Sequence, residues 1–355
     1  MKGLLKYLSP FAPDQSGAVS VLYDLGGITV ICDAGGCTGN ICGFDEPRWF
    51  VRKSAIFSAG LRDMDAILGR DDRLIEKLKD TAQKVDASFA AIIGTPVPAV
   101  IATDFKALKR MAEKRCQLPV ITVECTGTEL YDTGEEETYM ELFRKFVDPD
   151  VKEKENAIGV IGATPLNLSS VTADETIRHV LKEEGYDHVY CYGMGDGLDT
   201  LKKAASVKKN LVVAPSGLKA AKYMEKTFGI PYEAGYPILD KKLKKQICDL
   251  NGKKILVIHQ QVMANEIRKE ILKYHDVEVT AATWFMQKKE WKQPQDVMLK
   301  TEQGFADYVA EQQFDTVIGD AYLSLALREF DGEFIHVPHF AVSGEYEHDN
   351  GEIGI

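Results

Sequence analysis

The sequence has no unbroken apolar run of membrane-spanning length. Its longest apolar stretch, residues 87–102, is interrupted by Pro96 and Pro98, whereas a bilayer span needs roughly 20 apolar residues. Residues 1–8 hold two lysines and a few apolar side chains but no small-residue cleavage site, so no secretory signal is expected there. Positive charge is scarce: 43 Lys and Arg stand against 54 Asp and Glu, a formal net charge of -11. That balance argues against a nucleic-acid or anionic-membrane partner. The one local exception, Lys241, Lys242, Lys244 and Lys245, has the spacing of a solvated helix face. A paired cysteine framework is missing too. Seven cysteines scattered over 355 residues argue against a disulfide scaffold and for metal or redox chemistry in a reducing cytoplasm. Also absent are Gly-x-Ser-x-Gly, His-Glu-x-x-His, an EF-hand loop, a Walker A loop and GxGxxG.

What is present is alternation. Apolar runs of strand length occur at 28–32, 87–93, 120–124, 157–161, 189–192, 211–214, 254–258, 277–281, 316–318 and 334–337. Several are unbroken, as in strands buried on both faces of a parallel sheet. Helical periodicity fills the gaps at 72–84, 104–115, 173–184, 197–207, 218–228, 262–274 and 302–312. In the first of these Leu74, Ile75 and Leu78 form an apolar stripe beside Lys77, Lys79 and Asp80. The alternation predicts an α/β fold of βαβ units with right-handed crossovers. The length suggests two or three domains. The charged segment 148–156 and the Asn251-Gly252 turn divide the chain into 1–150, 151–251 and 252–355.

Four stretches could carry chemistry. Residues 33–43, Asp-Ala-Gly-Gly-Cys-Thr-Gly-Asn-Ile-Cys-Gly, follow the first strand directly. They therefore sit at a strand's carboxyl end, where ligands of open α/β sheets collect. Gly35 and Gly36 let backbone N–H groups approach a ligand. Cys37 and Cys42 offer thiolates, the usual iron–sulfur ligands, although a cubane normally needs four. A tight turn with incidental cysteines is the alternative. The turn 94–104 links a buried strand to a helix capped by Thr103 or Asp104. Cys125 ends another strand and would face the same crevice as Cys37 if both strands share a sheet. Cys32, Cys116, Cys191 and Cys248 fall within strands or helices and read as small buried hydrophobes. In the C-terminal stretch, His336 and His339 are spaced as a metal pair could be, but zinc would need further ligands. His259 closes a strand and reads as a cap or pocket wall.

Together these stretches resemble the nitrogenase component 1 superfamily: nitrogenase molybdenum–iron protein subunits, their cofactor-assembly scaffolds, and the related dark-operative protochlorophyllide reductases and methanogen tetrapyrrole cyclases. Gly35-Gly36-Cys37-Thr38-Gly39-Asn40 is similar to the family's cluster-ligating cysteine loop. Residues 61–69 resemble the segment after it, and 95–104 the Thr-Cys-x-x-x-x-Ile-Gly-Asp-Asp turn. Residues 156–168 and 210–232 resemble the middle domain, 252–258 the start of the last, and 342–346 its terminal Ser-Gly-x-Tyr.

The resemblance implies three Rossmann-like domains with parallel sheets flanked by helices. It implies the catalytic component of a two-component reductase, with an iron–sulfur cluster of the 4Fe-4S type shared between two subunits. Cys37 and Cys42 would be the ligands from each side. The chain would form a homodimer or a heterodimer with a related component 1 subunit, and a nitrogenase-reductase-like ATPase would deliver electrons. Gly35, Gly36, Cys125, His259 and His339 would line the cofactor or substrate crevice. Pro96 stands where the family has a second cluster cysteine, and no cysteine lies in 9–20. Ala214 and Pro338 stand near the positions of the molybdenum cofactor's cysteine and histidine ligands. No molybdenum cofactor and no nitrogen fixation are therefore expected. A cofactor-assembly scaffold or a cluster-free small-molecule-binding paralogue is the alternative. Asp45, Glu46, His259 and His339 are unranked proton-donor candidates. Arg48 reads as half of a structural ion pair, with binding of an acidic ligand as the alternative.

Overall fold

The computed structural model describes residues 5–69, 71–151, 156–347 and 353–354. Residues 1–4 of the N-terminal segment and 152–155 of the charged 148–156 segment lie outside the described residues. Three sheets organise the chain, and every strand pairing within them is parallel. The first contains β1 (Ile28–Ile31), β2 (Ile56–Ser58), β3 (Ala90–Ile93) and β4 (Val120–Val123) in the order β2-β1-β3-β4. The middle sheet contains β5 (Ala157–Ile161), β6 (His188–Tyr192), β7 (Lys209–Val212) and β8 (Tyr232–Ala234) in the order β6-β5-β7-β8. The last contains β9 (Lys254–Ile258), β10 (Glu278–Thr283), β11 (Val297–Met298), β12 (Thr316–Gly319) and β13 (Glu333–His336) in the order β11-β10-β9-β12-β13. The α/β expectation holds, because the central strands are β-branched or small apolar runs buried along their whole length.

All three sheets share one plan. The first strand is central, the second joins one side, and a later strand joins the other. Chain direction across the sheet thus reverses beside β1, β5 and β9. Each reversal opens a crevice at the strands' carboxyl ends, between β1 and β3, β5 and β7, and β9 and β12.

Two helices outside the amphipathic set tie the sheets together. Asp14–Leu22 is buried along its whole length. Tyr131–Phe146 buries residues around most of its circumference. They touch backbone to backbone. A Cβ on Gly17 would fall 1.9 Å from the Tyr131 carbonyl oxygen, and one on Gly134 would fall 1.8 Å from that of Asp14. Only glycine permits this approach from both sides. One apolar cluster then runs from Ala18 and Leu22 through Ile93, Val123 and Phe143 to Ile161 and Val212. The first and middle sheets therefore share a core. Among the described residues, no helix is long and apolar enough to cross a membrane.

Candidate functional site

The crevice of the first sheet holds the cysteine loop. Buried Asp33, just past β1, closes it: Oδ2 accepts the Thr38 N–H at 2.7 Å, and Oδ1 accepts the Thr38 and Ser58 hydroxyls at 3.0 and 2.6 Å. Gly35 has φ 122°, a conformation that favours glycine, and leads into the helix Gly36–Asn40. A π-helical turn, Ile41–Asp45, follows. Such wide turns recur at functional sites. Cys37 lies on the helix and Cys42 on the π turn, and both are partly exposed. Burial and then the Asp33 charge push the Cys37 thiol above its ordinary value, against a smaller opposite pull from Thr95 at the end of β3. Burial and Glu46 push Cys42 up as well, with Lys53 opposing.

The loop's neighbours are apolar and exposed. Short helices, one beyond the π-helical turn and one each after β2 and β3, carry Phe50, Ile67, Leu68, Val97 and Val100, of which Ile67 is 74% exposed and Val100 85%. Among the described residues, no large apolar side chain between Phe105 and Ile271 is exposed to this degree. Apolar surface of this kind around a crevice marks an interaction site.

Behind the loop, Arg48 is fully buried. It donates to Glu46 Oε1 and Oε2 at 2.7 Å each, to Asp24 Oδ2 at 2.9 Å, and to the Gly193 and Ser20 carbonyls at 2.9 and 2.7 Å. It is thus a structural ion pair that pins the end of the loop to the middle sheet unit. Removing one partner of such a pair leaves a buried charge, at a cost of about 3–5 kcal/mol. Of the proton-donor candidates, Glu46 is committed to this pair. Asp45 accepts from Ser16 and Asn40 at 2.7 and 2.8 Å.

The other two crevices are filled by the chain itself. Glu135 of the helix Tyr131–Phe146 enters the crevice between β5 and β7. Oε1 accepts the Thr164 hydroxyl at 2.6 Å, and Oε2 accepts the Ser216 hydroxyl and the Asn167 amide, each at 2.7 Å. Burial pushes Glu135 up to about 7, although these three donors pull it down. Asp132, one turn earlier, is pushed by burial to about 6. Asn167 also accepts from the Tyr131 hydroxyl at 2.9 Å, which meets His339 Nε2 at 3.1 Å. Between β9 and β12, His339 stacks on His259 with ring centroids 4.1 Å apart. Burial lowers both imidazoles, His259 to about 4. Gln260 donates to the Val213 carbonyl at 2.8 Å, closing the seam between the last and middle sheets.

The sequence-derived site residues therefore fall into separate groups. Gly35, Gly36, Cys37 and Cys42 lie together. His259 and His339 meet each other. Cys125 is buried in the core shared by the first and middle sheets, where burial raises its thiol well above the ordinary value. His336 does not meet His339: its Nε2 lies 2.8 Å from Glu345. Cys32 and Cys191 are buried as expected, but Cys116 is partly exposed and Cys248, at a helix end, is exposed. Among the described residues, no group of three or more His, Cys, Asp or Glu side chains is arranged to hold a metal ion. Sequence reasoning missed Glu135, Thr164, Ser216 and Tyr131. For Thr164 and Ser216 the only signal was a hydroxyl residue shortly after a strand end; Tyr131 and Glu135, on the helix Tyr131–Phe146, had none.

A family model described as nitrogenase component 1 type oxidoreductase matches residues 16–240. The nitrogenase iron-molybdenum cofactor biosynthesis protein NifE of Clostridium pasteurianum is 28% identical over 229 residues, 62% of this chain and 49% of that protein. NifE of Bradyrhizobium diazoefficiens is 27% identical over 187 residues, 50% of this chain and 33% of that protein. The chain thus matches half or less of the length of these curated relatives. Among solved structures, "Nitrogenase Cp1 at pH 6.5" superposes with a TM-score of 0.71 at 13% identity, covering 98% of this chain and 89% of that one. The same protein at pH 5 gives 0.72 at 12% identity, covering 96% and 85%. At that identity the likeness is one of fold.

Proposed function

We propose, from the premise that this chain belongs to the nitrogenase component 1 type oxidoreductases, that it is a subunit of a nitrogenase-like two-component reductase. Two such chains, identical or related, share an iron–sulfur cluster of the 4Fe-4S kind, and Cys37 and Cys42 are the ligands from each. A separate ATP-dependent iron–sulfur reductase donates the electrons. The three sheets count as three domains, divided near residues 150 and 251. The observation that carries this reading is the first crevice: two partly exposed thiols in a unit whose short helices carry exposed apolar side chains. Two thiolates are half of a cubane's usual ligand set, so the residues fit a site completed by a second chain.

A cluster bound there supplies one-electron chemistry at low potential. The chain's own part is to present two thiolates and to shield them from water. Both thiols are held above their ordinary values, so ligation releases protons and loading becomes easier as pH rises. Ala214 and Pro338 offer no metal donor, and the crevice beside them is filled. Reduction of dinitrogen at a molybdenum cofactor is therefore not part of the reading.

One observation favours a second reading, a cofactor-assembly scaffold. The junction of the three sheets is packed with Glu135, Tyr131, His259 and His339, all buried, which leaves a substrate little room. The curated relatives are themselves proteins of cofactor biosynthesis.

The test is iron and sulfide content with EPR on anaerobic, dithionite-reduced protein, alone and with a related chain. Wild type should carry iron, and Cys37→Ala should lose nearly all of it. Iron-free wild type, or a Cys37→Ala variant with undiminished iron, would sink the cluster proposal. Multiple turnover with the ATPase supports the reductase; a single stoichiometric cluster transfer supports the scaffold.

A further inference from the structure

Asp33 lies two residues beyond β1 and is 1% exposed. Both of its oxygens accept hydrogen bonds, as in the ionised form. The donors are all neutral: the Thr38 N–H at 2.7 Å and the Thr38 and Ser58 hydroxyls at 3.0 and 2.6 Å. That N–H belongs to the peptide leaving Cys37, so the carboxylate lies one peptide unit from the thiol-bearing residue. Its charge reaches the Cys37 thiol and adds to burial in pushing it up. The acid acting on Cys42 is placed differently. Glu46 pushes that thiol up too, but the Arg48 guanidinium answers Glu46 with two bonds of 2.7 Å.

We propose that Asp33 is a positioning residue whose charge lowers the reduction potential of an iron–sulfur cluster held by Cys37. The inference rests on the cluster reading above and deepens it. One-electron reduction there adds negative charge and breaks no bond, so a fixed carboxylate nearby disfavours the reduced form. Burial strengthens the effect, because less water stands by to screen it. Hydrogen bonds to sulfur are a second lever on such a potential. Here the Thr38 N–H and the two hydroxyls are spent on Asp33 instead.

Closing the turn does not by itself call for a charge, since Asn and Ser close turns as neutral groups. Burying a carboxylate is costly, and this one opposes the thiolate that ligation needs. What Asp33 adds beyond a neutral turn residue is its field at Cys37. A low potential suits a group that takes electrons from an ATP-driven donor and passes them on.

Redox titration with dithionite, followed by EPR, tests this on the anaerobic, cluster-loaded full chain, with iron measured on every sample. Asp33→Asn should keep its iron and be reduced more readily. Its reduction equilibrium should shift by about tenfold or more, a rise of about 59 mV for one electron. A purely structural Asp33 would change iron content or unfolding and leave the potential of the remaining cluster where it was. If Asp33→Asn holds no iron, Ser58→Ala decides. It takes a donor from Asp33 but removes no charge, so the carboxylate is less screened and the potential should fall. An unchanged or lowered potential in iron-loaded Asp33→Asn overturns the proposal and leaves the cluster reading standing. So does an unchanged or raised potential in Ser58→Ala where the first variant is iron-free. Wild type without iron overturns both.

Discussion

The first and middle sheets have the same strand order and opposite crevices. Between β1 and β3 the chain leaves two partly exposed thiols in an apolar surface. Between β5 and β7 it inserts its own carboxylate, met by three donors. A parallel sheet with a reversal beside its first strand creates the crevice by topology alone. What occupies it is decided by side chains from outside that sheet. Here a single helix, Tyr131–Phe146, closes the middle crevice, and Tyr131 at its start reaches the histidine stack of the last. The difference teaches that function in this fold is to be sought where no foreign helix arrives.

The strongest way to break this contrast is to push the closing helix away. In Gly134→Ala the new methyl would meet the Asp14 carbonyl oxygen at 1.8 Å, and backbone cannot yield as a flexible side chain can. Urea unfolding should show a loss of about 4 kcal/mol or more, or no folded protein. The matching change in the open loop, Gly36→Ala, has nothing within 4 Å of its new atom and should stay within about 0.5 kcal/mol of wild type. Equal effects at the two positions would mean that closure does not rest on this helix contact.

Why one crevice was readable in the sequence and the other was not follows from the same packing. Runs such as Ile28–Ile31 and Ala90–Ile93 are apolar on both faces, and little but a buried parallel strand has that pattern. The edge strands β2, β8 and β11, with two or three residues each, carry too few to show any period. The helices Asp14–Leu22 and Tyr131–Phe146 escaped for a different reason. Asp14–Leu22 is buried along its whole length and has no polar face to set off an apolar stripe, and in Tyr131–Phe146 the buried face is itself interrupted by Asp132, Gly134, Glu135 and Thr138. Cys37 and Cys42 were legible because glycines and thiols at a strand end are uncommon chemistry. Glu135 sits in the run Glu135-Glu136-Glu137, which reads as a solvated face until the fold turns one of the three inward.

The closed side can be sharpened by titration. Burial raises Glu135 to about 7. A carboxyl raised in the folded chain contributes stability that is full below its unfolded value, about 4.3, and is lost as pH rises through about 7. Glu135→Gln cannot ionise. The stability difference between wild type and this variant should therefore shift by on the order of 3 kcal/mol between about pH 4 and about pH 8, with wild type losing ground. Urea midpoints across that range measure it. A difference independent of pH would mean that the three donors offset the cost of burial and leave Glu135 near its unfolded value, so that a carboxylate closes the crevice at neutral pH.

The open side should respond in the opposite manner, with little change in fold stability and a large change in association. Ile67 and Val100 are among the most exposed apolar side chains of the first sheet's rim. Replacing both by serine removes no core contact, so the unfolding midpoint should move by no more than about 0.5 kcal/mol. If a second chain covers this rim, the same change forfeits apolar burial at about 25 cal/mol per Å², and sedimentation should show dimer giving way to monomer at the same protein concentration. Iron retention should fall with the dimer, because each chain would hold only two ligands. A variant that stays dimeric and keeps its iron would separate the rim from the subunit contact.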